Sequence, residues 1–305
     1  MTHAWGVPPP AEYGYPTPAW PPPPGWYPDP TGMTQLRWWT GTGWTEHTAP
    51  YPPRPGPKLD ATVAAMKQAD PRPWGARPVA LPIAAYVVLI VAGSIASVFA
   101  PSGGGGLTAY AVVLNVLIEG ALAGSVYVAG RDVARRNGGW ARTFGWKRPR
   151  RSDIGLVFAG IGLAFALRLV ATIVVVAIAG SDATKQAQNL HVSKATVVTT
   201  ILLVVLTVII APLVEELVFR GLFLRTFMRR WKFWPAAAAS TTIFALGHTY
   251  EVGTLVGAIL LALDVAALGI VNCWLNRRTD SLAAGMIVHA SFNLLATVVL
   301  LTSLS

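Results

Sequence analysis

The chain has 305 residues, of which 53% are hydrophobic and only 12% charged, with a mean hydropathy of +0.49. An ordinary soluble domain carries about a quarter of its residues as charges, so this composition excludes one and calls for a multi-span membrane protein. The net charge of +10 does not indicate nucleic acid, because the basic residues cluster in short loops between apolar runs, and the single cysteine, Cys273, excludes an internal disulfide and any cysteine-based metal spacing.

In chain order, residues 1–24 are rich in proline and aromatic residues and are expected to stay extended or disordered. They lack the basic and then apolar pattern of a cleavable signal peptide, so the first span is expected to act as the membrane signal. Residues 25–50 contain Trp26, Trp38, Trp39 and Trp44. TQLRWW and GWTEHT read as short strands joined by a turn at Gly41-Thr42-Gly43, which predicts a small two- or three-stranded β module. GWYPDP with RWW and GWT resembles a short Trp-rich domain of unknown function that precedes membrane spans in many actinobacterial proteins. The resemblance implies no chemistry; the module is either a passive tether or a site for a partner. Residues 51–79, rich in proline and basic side chains, read as a linker.

Residues 80–305 predict an all-α, polytopic transmembrane bundle of about seven spans: Ala80–Ala100, Leu107–Ala129, Ile154–Ala179, Ala195–Val218, Pro235–His248, Val252–Trp274 and Leu282–Leu301. The fifth is short and partly polar, so it is expected to tilt or to lean on its neighbours. The connecting loops alternate between basic and neutral. The stretch from Arg131 to Arg151 holds eight basic residues, Arg225 to Lys232 holds four, and Arg277 and Arg278 follow. Under the positive-inside rule this places the N-terminus in the cytoplasm and the C-terminus outside a multi-pass cell-membrane protein.

Ionisable residues inside such spans are rare and are usually paired or functional. The candidates are Glu119, Arg168, Glu215, Glu216, Arg220, His248, Asp264 and His289. In VEELVFRG, Glu216 and Arg220 are four apart on a helix, acid before base, and should form an ion pair. Glu215 lies about 100° round the helix and is left without that partner, free to serve as a general base. Phe244 and His248 end the fifth span. His289 and Asn293 share one face of the last span, where two polar side chains need partners or water. Taken singly, each of these also fits a helix cap, an interfacial histidine or an interhelical hydrogen bond. Arg168 and Asp264, or Arg168 and Glu119, can pair to hold the bundle.

Together, EExxxR, FxxxH and HxxxN in three successive apolar segments resemble the CPBP family, the intramembrane proteases that include CAAX prenyl-protein endopeptidases and bacteriocin-processing or self-immunity relatives. The resemblance covers residues 197–300. It implies an intramembrane endopeptidase with Glu215 as catalytic glutamate, Glu216 and Arg220 as the supporting pair, His248 activating water, and His289 with Asn293 stabilising the oxyanion. The substrate would be a peptide or a membrane protein within the lipid bilayer, prenylated or not. No Ser-His-Asp order or GxSxG elbow is present, and Cys273 has no histidine near it in sequence. A water-based, metal-free glutamate mechanism is therefore preferred. Zinc held by Glu215, His248 and His289 is the alternative, against which stands the absence of HExxH. A non-catalytic transporter or scaffold, with the ionisable residues lining a path, is the competing class.

Overall fold

The computed structural model describes residues 22–32, 35–50, 57–72, 74–97, 104–186, 196–249 and 254–302. It divides into two units, Met1–Pro55 and Gly56–Ser305. The expectations for residues 1–21, for the loop at 98–103 and for the stretch 187–195 lie outside the described residues.

The first unit is an antiparallel sheet in the order β1 (Gly25–Pro28), β2 (Gln35–Trp39), β3 (Trp44–Pro50). Trp26 faces Trp38 across the first pair and Trp39 faces Trp44 across the second. Gly41 makes the β2–β3 turn at φ +98°, a conformation open to glycine. So small a sheet needs anchors beyond its ladder. One is Asp29, which accepts from Gln35 Nε2 at 2.7 Å and the Thr31 backbone N–H at 3.0 Å and pairs with Arg37 at 3.1 Å. Those hydrogen bonds, Gln35 first and Thr31 next, hold its carboxyl well below the usual range.

The second unit is helical. α1 (Lys58–Ala69), α2 (Arg77–Ser97), α3 (Gly104–Arg136) and the short α4 (Trp140–Phe144) come first. A 3-10 turn at Arg151–Asp153 leads into α5 (Ile154–Ala179), and the short α6 (Ala183–Gln186) follows. Next is one continuous rod, Val197–Met228, made of α7 (Val197–Val205), α8 (Ala211–Glu216) and α9 (Leu224–Met228) joined by π-helical stretches at Leu206–Ile210 and Leu217–Phe223. The chain ends with α10 (Phe233–His248), α11 (Leu255–Thr279) and α12 (Leu282–Thr302).

Five stretches are long and apolar enough to cross a membrane: Val112–Arg136, Arg151–Ala179, Val197–Met228, Leu255–Thr279 and Leu282–Val299. The apolar part of α2, Arg77–Ala92, is shorter. α10 has 16 residues, which at 1.5 Å each is about 24 Å, short of the roughly 30 Å hydrocarbon core. All seven expected spans fall on helices, five of them at full spanning length.

Where composition reads as linker, the structure has a helix. Leu59, Val63 and Met66 of α1, spaced for one face, are buried, and Leu59 and Val63 pack with Leu224, Met228, Phe233 and Cys273. α5 meets α11 and α12 at Gly160, where a Cβ would come within 3.3 Å of Val288, a close approach of the kind small residues permit between membrane helices.

The basic loops gather at one end of the bundle. Asp280, the αL cap of α11, accepts from Arg225 at 2.7 Å, Lys147 at 2.6 Å and Thr62 at 2.8 Å. Lys58 pairs with Asp153 at 2.6 Å, and Arg277 with Asp60 at 2.7 Å. Asp70 takes Arg72 at 2.8 Å and Arg136 at 3.1 Å, and Arg229 donates to its backbone carbonyl. Hydrogen bonds from Arg72 first, and then the charge of Arg136, hold the Asp70 carboxyl down to about 2.

Candidate active site

The Val197–Met228 rod is where the backbone departs from a regular helix. A π register pairs each N–H with the carbonyl five residues back, and such segments recur at functional sites. Ala211 N–H bonds Leu206 O in this way. The next donor in that register would be residue 212, but Pro212 has no N–H. The Thr207 carbonyl so orphaned is met by Asn293 Nδ2 of α12 at 2.9 Å. The second π stretch begins directly after Glu216 and carries Arg220 and Gly221.

Glu216 is fully buried. Its Oε1 accepts from Asn272 Nδ2 at 2.8 Å and His289 Nδ1 at 3.1 Å and forms an ion pair with Arg220 Nη1 at 3.0 Å. Burying an ion pair is tolerable only where hydrogen bonds replace the lost water, and this carboxylate draws them from α11 and α12. Asn272 also donates to Gly285 O at 3.2 Å. Gly285 leaves room for the acid: a Cβ there would lie 2.8 Å from Glu216 Oε2. Arg220 is equally buried, with its guanidinium 4.5 Å above the Phe244 ring, a cation–π contact strengthened by desolvation. The same ring meets His248 and His289 edge-on, at 4.9 and 5.8 Å between centroids. Phe244 is therefore the apolar floor shared by the ion pair and both imidazoles.

Glu215 points elsewhere. Its side chain is 12% exposed, with His248 Nε2 at 3.8 Å from one oxygen and His289 Nε2 at 3.5 Å from the other. The far nitrogens fix the tautomers. His248 Nδ1 lies 2.9 Å from Phe244 O and His289 Nδ1 lies on Glu216, so in each neutral ring Nδ1 carries the proton and Nε2 offers a lone pair towards Glu215. Glu215 and His248 line a cavity of about 360 Å³ otherwise walled by apolar side chains, among them Pro82, Val87 and Ile90 of α2. Tyr86 O–H, donated to Gly247 O, ties α2 to α10 beside His248.

The structure thus brings Glu215, Glu216, Arg220, His248 and His289 together. Asn293 sits one helical turn beyond His289, half-buried, with one of its N–H groups committed to Thr207 O. Two further residues belong to the cluster. Asn272 was legible only as a polar residue inside LGIVNCWL. Glu119 of α3 is buried, its Oε2 has no partner among the described residues, and it lies within electrostatic range of Glu215. Sequence marks it as a membrane-depth acid but cannot assign it to this site. Arg168 and Asp264 pair with each other at 3.3 Å, with the guanidinium 4.9 Å over Phe292. Cys273 is buried, 3.8 Å from Thr241 Oγ1. Among the described residues no three His, Cys, Asp or Glu side chains are grouped so as to hold a metal ion, and no step below runs through one.

The fold and the cluster define a multi-pass membrane protein with an acid–imidazole centre on the wall of an apolar cavity. Residues 197–295, about a third of the chain, match the family model described as type II CAAX prenyl endopeptidase Rce1-like, and residues 24–57 match that of a protein of unknown function, DUF2510. The first match contains all six motif residues and agrees with the resemblance drawn from EExxxR, FxxxH and HxxxN; the second agrees with the Trp-rich module. No curated protein and no solved structure matches the chain.

Proposed function

We propose that the protein is an intramembrane endopeptidase in which Glu215 activates a water molecule. The observation that carries this reading is the Glu215 carboxylate, which lines the cavity with His248 and lies 3.8 and 3.5 Å from the Nε2 atoms of His248 and His289. Contacts of that length suit a bridging water. Water held between Glu215 and His248 loses its proton to Glu215 and attacks the scissile carbonyl. The oxyanion is met by the second N–H of Asn293 and by His289, which donates from Nε2 when doubly protonated because Glu216 already holds its Nδ1–H. Each such donor lowers a barrier by roughly 3 kcal/mol. Glu215 then passes its proton to the leaving amine, which balances the hydrolysis. Glu216 and Arg220 hold His289 and the floor of the site and do not touch substrate.

The substrate is a peptide segment or membrane protein that enters the apolar cavity. The basic end of the bundle faces the cytoplasm, which puts the N-terminus inside and the C-terminus outside; a reporter fused after Ser305 should be active only on the outer side.

The test is hydrolysis of a quenched-fluorescent peptide library by nanodisc-embedded protein, with Glu215→Gln and His248→Ala in parallel. Loss of a general base should cost about 10²–10⁴-fold in rate. Unimpaired cleavage by both variants, or none by the wild type, would overturn the reading. Stoichiometric zinc whose chelation abolishes cleavage would replace the glutamate mechanism with a metal-dependent one.

A further inference from the structure

In the N-terminal unit a proline segment packs against the aromatic face of the sheet. Trp39 Nε1 donates to Pro22 O at 2.9 Å in a buried contact, and Tyr27 O–H donates to Pro23 O at 2.9 Å. Pro24 lies against the β2–β3 turn, where a Cβ on Gly41 would come within 3.3 Å of its ring. Three consecutive prolines thus meet an indole N–H, a phenol O–H and a turn glycine, Gly41. The aromatic shelf beneath is continuous, with Trp44 edge-on to Trp39 at 5.2 Å and to Tyr27 at 6.4 Å.

The chemistry matches what an extended proline segment requires. Such a segment has no internal hydrogen bonds and, being proline, offers carbonyls without N–H groups. A surface that recognises it must supply donors only, on rigid aromatic side chains, and gains from the low entropy of the preformed ligand. The shelf is also larger than its resident. Trp44 remains 37% exposed although Pro22 is buried.

We propose that this aromatic face is a reader of extended proline-rich segments, held in cis by Pro22–Pro24, and that its partner in trans is a proline-rich segment of another protein. The resident segment is covalently joined to β1, so its effective concentration is high and it competes against any ligand in trans. The proposal does not depend on the protease reading, because none of these residues belongs to the acid–imidazole site.

The experiment uses the full chain in nanodiscs and a fluorescein-labelled ten-residue polyproline peptide, followed by anisotropy, with a Gly-Ser peptide of equal length as comparator. Replacing the resident through Pro22→Ala, Pro23→Ala and Pro24→Ala together should tighten binding of the proline peptide at least about tenfold, the reach of a tethered competitor. Adding Tyr27→Phe, which keeps the ring and removes one donor, should reverse several-fold of that gain; Trp39→Phe should reverse more. The Gly-Ser peptide should not bind. No gain in the triple variant, or a gain untouched by Tyr27→Phe, would overturn the proposal. Collapse of the dispersed indole N–H resonances in the triple variant would make the prolines a structural strap and would also overturn it. Peptide binding that competes with self-association would assign the face to a second copy and remove the outside partner.

Discussion

Two buried acids at different depths of the bundle are treated in opposite ways. Asp280, at the basic end, has one oxygen on Arg225 and the other on Lys147 and Thr62. Inside the rod, Glu216 has three partners on one oxygen, while its other oxygen is buried with none among the described residues. Its neighbour Glu215 faces two imidazoles among the described residues, at distances beyond a good hydrogen bond. At the basic end both oxygens of the acid are met; at the site Glu216 keeps one oxygen open and Glu215 faces its imidazoles from 3.5 Å and 3.8 Å. Unmet capacity in a desolvated place costs stability; at Glu215, which lines the cavity, it marks chemistry, while Glu216 is fixed by its three partners.

Mutations can break that contrast. The largest stability loss is expected from Glu216→Ala, which strands the Arg220 guanidinium and frees His289; orphaning one partner of a buried pair costs about 3–5 kcal/mol. Thermal unfolding in nanodiscs should register it, and an unchanged midpoint would show that the pair contributes nothing. Asn272→Leu comes next, removing a charge-assisted hydrogen bond from Glu216, at about 1.5–3 kcal/mol. It should lower unfolding temperature and cleavage together; stability without loss would place Asn272 outside the cluster. At the saturated end, Lys147→Met should cost under about 1 kcal/mol, because Lys147 is half-exposed and Arg225 and Thr62 remain on Asp280.

The smallest effect is a pH dependence at Asp70. Its folded carboxyl is depressed to about 2, so its contribution is complete above the ordinary aspartate value of about 4 and is lost as the pH falls through about 2. The advantage of wild type over Asp70→Asn should therefore shrink across that acid window. A difference constant with pH would contradict the pairing with Arg72 and Arg136.

The sequence reading succeeded where helical spacing carries the information. Glu216 and Arg220 are four apart, a spacing that keeps side chains neighbours along a helix even into the π stretch that holds Arg220, and they pair as that spacing predicts. β2 and β3 of the Trp-rich module were legible as TQLRWW and GWTEHT on either side of a glycine turn, whereas β1 was not placed. What was not legible depends on tertiary partners or on local departures from regularity. Asn272 looks like an isolated polar residue until α11 packs on Glu216. Glu119 gains meaning only once α3 lies beside the rod. α1 hides in a proline-rich, basic stretch, although Leu59, Val63 and Met66 carry a helical period. The π stretches are invisible to a 3.6-residue template. Their consequence, Thr207 O taking the Asn293 amide, follows from Pro212 only after the register is known.

The central claim is that adjacent carboxylates divide the labour, Glu215 for chemistry and Glu216 for structure. The direct measurement is peptide cleavage and thermal unfolding of Glu215→Gln beside Glu216→Gln, in the same nanodiscs. Glu215→Gln should lose turnover by about 10²–10⁴-fold and keep the wild-type unfolding midpoint, while Glu216→Gln should lose both. Turnover retained in Glu215→Gln, or unfolding of that variant as severe as that of Glu216→Gln, would contradict the account.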